Sequence, residues 1–112
     1  MKLKTIVLIA TLFMGTLSVF AQGKTEKFKV YGNCGMCENR IEKAAKSVEG
    51  VSMADWDKST EMMEVSFDEA KTSLDDIHKA IAKVGHDTKK YKAEDETYEG
   101  LPGCCKYKRP EE

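Results

Sequence analysis

The stretch Lys24-Thr-Glu-Lys-Phe-Lys-Val-Tyr-Gly-Asn-Cys-Gly-Met-Cys-Glu-Asn-Arg-Ile-Glu-Lys-Ala-Ala-Lys-Ser-Val-Glu-Gly50 changes its period half-way along. Residues 24–31 alternate polar and apolar, with Phe28 and Val30 on one face, which is the pattern of a half-buried strand. Gly32-Asn-Cys-Gly35 is turn chemistry. From Met36 onward Cys37, Ile41, Ala44, Ala45 and Val48 fall on one face of an amphipathic helix, which Glu49-Gly50 ends. A strand that feeds a helix through a short loop therefore puts Cys34 in the loop and Cys37 at the helix start.

The rest of the chain continues the alternation of elements. Val51, Ala54 and Trp56 mark a second strand over residues 51–57, and their uneven spacing predicts a bulge. Asp57-Lys-Ser-Thr60 is a hairpin turn, followed by a third strand with Met63, Val65 and Phe67 inward. Ser73 is an N-cap, with Asp75 and Asp76 in the first helical turn, where the helix dipole favours anions. Leu74, Ile77, Ile81 and Val84 repeat at helical spacing up to the Gly85 stop, and residues 86–92 complete a fourth strand. The order β-α-β-β-α-β predicts an α+β, ferredoxin-like sandwich. Two helices lie on one face of a four-stranded antiparallel sheet. An irregular C-terminal tail follows.

Residues 1–21 read as a secretory signal peptide. Lys2 and Lys4 precede a mostly apolar run over residues 6–20, and Val19-Phe-Ala21 predicts cleavage after Ala21. The run is short for a bilayer span and polar sequence follows at Gln22, so no stable membrane insertion is expected after cleavage. The expected location is periplasmic or secreted. The mature chain then divides into a core domain, residues 22–92, and a cysteine-containing tail, residues 93–112. Without Lys2 and Lys4 the 18 basic residues fall to 16 against 19 acidic ones, a net charge of about −3. Both signs interleave and no basic stripe exists to neutralise phosphates, which excludes nucleic acid as a partner.

Four cysteines in a short exported chain ordinarily imply a disulfide framework. Here they form two tight pairs, Cys34/Cys37 and Cys104/Cys105, whereas a framework clamps distant segments. Tight pairs suit soft-ligand sites. Unpaired backbone N–H groups and the helix dipole at the start of the first helix favour the thiolate, the form that binds metal or attacks a disulfide. Two thiolates in one small volume suit a low-coordinate soft ion, Cu(I) or Hg(II). A closed zinc site needs two more ligands.

The element order, the loop Gly32-Asn-Cys-Gly-Met-Cys37, Val51-x-x-Ala-x-Trp-Asp57, Met63-Glu-Val-Ser-Phe-Asp68, Ser73-Leu-x-x-Ile77 and the Val84-Gly85 stop together resemble the heavy-metal-associated domain family. The resemblance covers residues 25–92 and implies Cys34 and Cys37 as the metal ligands. It also implies a non-enzymatic metallochaperone or scavenger that passes its ion to a metal-transporting membrane protein or another carrier. Two such domains sharing one ion would make a metal-bridged homodimer. The leader makes the chain similar to the family's periplasmic mercury-binding branch or to an exported copper carrier. The family's loop usually carries Met two residues before the first cysteine with Thr beside it; this chain has Gly32 and Asn33 there. Gly32 has no side chain to pack, which predicts a looser loop. The alternative function is a thiol–disulfide redox protein using the same two cysteines.

Further ligands are sought at His86, which follows the Gly85 stop at the cysteine-loop end of the sandwich, and at Cys104 and Cys105. Residues 92–104, extended, reach roughly 40 Å, enough to return along the domain. Tail thiolates joining Cys34 and Cys37 would admit Zn(II) or Cd(II), or the tail could form disulfides or hold a metal alone. Leu101-Pro102 would dock such a tail by packing. His78, beside the apolar stripe of the second helix, reads as a surface histidine.

Overall fold

The computed structural model of the protein describes residues 23–110, so the leader assigned to residues 1–21 lies outside them. Three strands, β1 (Gly23–Lys29), β2 (Val51–Trp56) and β3 (Met62–Asp68), form an antiparallel sheet in the order β1-β3-β2. Phe28 and Trp56 both pair with Met63 across the ladders, so three large side chains cross the sheet in one row. The register of β2 against β3 shifts between Val51 and Met53, which is the expected bulge.

Helices α1 (Gly35–Lys46) and α2 (Leu74–Lys83) close the core. Ile41, Ala44 and Ala45 of α1 and Ile77 and Ile81 of α2 are buried with Phe28, Val30, Val65 and Phe67 of the strands. Ser73 caps α2, its hydroxyl accepting from the Asp76 N–H at 3.2 Å. Gly85 ends that helix with a φ of +108°, a region costly for any residue with a Cβ. Among the described residues no helix is long and apolar enough to cross a membrane.

The fourth strand expected over residues 86–92 does not form. One bridge, Val30 to Thr88, and the bonds Tyr31 N–H to Asp87 O and Lys89 N–H to Lys29 O are what it contributes beside β1. The cause is local. The Thr88 hydroxyl accepts from the N–H groups of Lys90 and Tyr91, and Thr88 N–H donates to Tyr91 O, so the chain turns away. His78 also departs from the surface position expected of it. It is buried, with Nδ1 2.7 Å from the Thr88 hydroxyl and its ring 4.0 Å from that of Phe28.

The tail is not irregular throughout. A short helix α3 (Asp95–Glu99) and a 3₁₀ turn (Gly103–Cys105) carry it back over the domain. Leu101 packs so closely on Gly85 that a Cβ there would lie 3.0 Å from the leucine methyl. Tyr107 is buried, its hydroxyl donating to Gly85 O at 2.7 Å and accepting from Asp87 N–H at 2.8 Å. Arg109 grips the buried Asp87 carboxylate with two parallel bonds of 2.9 Å. Burial pushes the Asp87 carboxyl up, but the Arg109 guanidinium and the Ala93 N–H outweigh it and hold the group below its ordinary value.

Candidate functional site

Cys34 is the extended residue that opens α1, and its carbonyl accepts the Glu38 N–H at 3.0 Å. Its side chain stays half-exposed because the helix begins at the edge of the core. Cys37, one turn on, is on the apolar face and fully buried. The two sulfurs lie 3.6 Å apart as free thiols. Their surroundings separate them electrically. The Cys37 backbone N–H, more than any other group, lowers Cys34 to about 7, with the sulfurs of Cys37, Cys105 and Cys104 adding to it against some burial. Burial raises Cys37 to about 11, although the Asn33 N–H pulls the other way.

Gly32 does not leave the loop loose. A Cβ at this position would sit 3.0 Å from the Trp56 ring and 3.2 Å from Cys37 Cβ, so the indole occupies the space beside it. Trp56 is itself fixed by its ring N–H, which donates to Val30 O at 2.9 Å.

The tail arrives at the same place. The 3₁₀ turn sets Cys105, fully buried, with its sulfur 3.7 Å from that of Cys34. Cys104 is exposed, 3.9 Å from the Cys105 sulfur, and donates to the Met36 sulfur at 3.4 Å. The sulfurs of Cys34, Cys104 and Cys105 all lie within 4.8 Å of one another. Arg40 of α1 donates to the Cys105 sulfur at 3.2 Å. His86 does not group with these sulfurs and is different in kind. It is fully buried, its Nδ1–H donates to Tyr31 O at 2.8 Å, and its ring stacks on Tyr107 with centroids 5.2 Å apart. Burial lowers its pKa, so the ring is neutral, and its Nε2 has no hydrogen-bond partner.

A sequence model of the heavy-metal-associated domain matches residues 29–87, more than half of the chain. The chain belongs to the heavy-metal-associated domain family. It is 39% identical over 69 residues to the mercuric transport protein periplasmic component of Pseudomonas aeruginosa, covering 61% of this chain and 76% of that protein. It is 37% identical over 65 residues to a copper-exporting P-type ATPase of Staphylococcus saprophyticus, covering 57% of this chain and only 8% of the ATPase. Among solved structures, a CopZ metallochaperone superposes with a TM-score of 0.56 at 29% identity, covering 58% of this chain and 98% of that one. This heavy-metal-associated domain thus has ferredoxin-like neighbours, and its docked tail lies beyond the matched region.

The sequence places Cys34 and Cys37 together with Arg40 on the same helix, but it does not show that Tyr107 and Arg109, through Gly85 and Asp87, dock the tail that carries Cys105. A signal for the tail was present. Cys105, Tyr107 and Arg109 alternate with Lys106 and Lys108, so an extended segment presents all three to one side.

Proposed function

We propose that this protein is an exported, non-enzymatic carrier of a soft cation, Cu(I) or Hg(II), held on the Cys34 and Cys37 sulfurs. It hands the ion by ligand exchange to a metal-transporting membrane protein or another carrier. The asymmetry of the pair carries this reading: Cys34 is half-exposed and lowered to about 7, whereas Cys37 is buried and raised to about 11. The buried sulfur anchors the ion. The accessible one is free to yield to an incoming thiolate, so transfer proceeds without release of a free ion. The leader over residues 1–21 and the likeness to a mercuric transport protein named as a periplasmic component support a place outside the cytoplasm.

The test uses the reduced Cys104→Ser/Cys105→Ser protein, which leaves only the pair. One equivalent of Cu(I) or Hg(II) is expected to protect both remaining thiols from alkylation; alkylation at the metal-free rate would overturn the reading. Export is checked by fusing residues 1–22 to a reporter phosphatase active only outside the cytosol.

The same asymmetry favours a second reading. A low-pKa accessible cysteine over a buried partner is also the arrangement of a thiol–disulfide exchange centre. Insulin reduction at a rate above that of free dithiol would select it.

A further inference from the structure

We propose that the tail completes a polythiolate site: Cys34, Cys104 and Cys105, with Cys37 placed to join them, bind one divalent d¹⁰ cation such as Zn(II) or Cd(II). This rests on the assignment of Cys34 and Cys37 as ligands and extends it beyond the region shared with the family, residues 29–87.

Three observations carry it. The first is spacing. Metal–sulfur bonds of about 2.3 Å require sulfurs about 4.6 Å apart in a linear site and about 3.8 Å apart on the edges of a tetrahedron. The distances here are 3.6 Å for Cys34–Cys37, 3.7 Å for Cys34–Cys105 and 3.9 Å for Cys104–Cys105. All three are close to tetrahedral edges. Cys34 is common to two of them and forms a group within 4.8 Å with Cys104 and Cys105, which Cys37 meets through Cys34.

The second is pre-organisation. Leu101 on Gly85, Tyr107 between Gly85 and Asp87, and Arg109 on Asp87 clamp the tail on both sides of the cysteines. A ligand held in this way loses little freedom on binding. The third is charge. A dication with four thiolates leaves a net of −2. The Arg40 guanidinium at 3.2 Å from the Cys105 sulfur and the N–H groups that open α1 offset it.

Cd(II) is the probe, with X-ray absorption counting sulfurs on the reduced protein. One ion per chain with three or four sulfurs is expected. Arg109→Ala, which frees the tail without removing a sulfur, should weaken Cd(II) binding about 10–100-fold, as loss of a supporting group does elsewhere. Cys104→Ser/Cys105→Ser should weaken it at least as much and leave two sulfurs from each chain. Two sulfurs in the parent overturn the proposal. So does a second ion that disappears in the double variant, or an unchanged Cd(II) affinity in both variants. Loss of Cu(I) or Hg(II) protection at Cys34 and Cys37 is a different result and removes the carrier reading instead.

Discussion

At Cys34 one backbone N–H from the first turn of α1 and three neighbouring sulfurs converge on a half-exposed thiol, which lowers it to about 7. Cys37, buried 3.6 Å away, titrates near 11. In metal-free reduced protein, iodoacetamide should therefore modify Cys34 with a pH midpoint close to 7 while Cys37 stays unreacted through the neutral range. The metal competes with whatever protons remain. Above pH 7 it displaces one from Cys37; below it must also displace one from Cys34, so affinity should fall about tenfold more per pH unit, read by competition with a chelator. Beside the pair, Gly32 is where the Trp56 ring rests. Gly32→Ala would overpack a ring that is already pinned by hydrogen bonding, with an expected loss of about 1–3 kcal/mol in urea unfolding.

The tail is an element held by Leu101, by Tyr107 and by the ion pair of Arg109 with the buried Asp87. Removing Arg109 strands Asp87, a carboxylate with no exposed surface, and breaking such a pair typically costs about 3–5 kcal/mol. Release of the tail exposes Asp87 to water and is the cheaper response. Arg109→Ala should thus abolish hydrogen-exchange protection at Leu101, Cys105 and Tyr107 while β1 and β3 keep theirs. Acid should act in the same direction. The folded Asp87 lies below its ordinary value of 3.8, so docking is fully supported above that pH and is lost as pH falls through the depressed value. Tyr107 fluorescence or exchange would follow it.

What was legible in the chain follows from locality. Phe28, Val30, Met63, Val65, Phe67, Ile41 and Ile77 each repeat with the period of their own element, so strands and helices could be read from their neighbours. Ser73, Gly85 and the bulge after Val51 were equally local. Residues 86–92 misled because the groups that satisfy Asp87 are Tyr107 and Arg109, about 20 residues away in sequence. His78 misled for a similar reason: Phe28 and Thr88, which cover it, belong to other elements. Of the site, the Cys34/Cys37 pair was visible as a motif. Its meeting with Cys105 was visible only as a distance the tail was long enough to cross.

For the molecule as a whole, the proposed site would let the docked tail set how many sulfurs an ion finds without a second protein. A bare pair leaves a divalent ion short of ligands, and two copies can then share one ion through four thiolates. The parent should remain monomeric with one equivalent of Cd(II), while Cys104→Ser/Cys105→Ser should form a metal-dependent dimer, measured by light scattering. The same arrangement changes what the ion does to the polypeptide. Cys34 and Cys105 are separated by 71 positions. A cation bound to both would tie residues 34–105 into a ring, with the segments before and after it outside the loop. A cross-link closing a loop of that length restricts the unfolded chain by about 4 kcal/mol. Cargo would then also be a fastener: the loaded carrier resists heat and proteases, and surrendering the ion to a recipient unbuckles it.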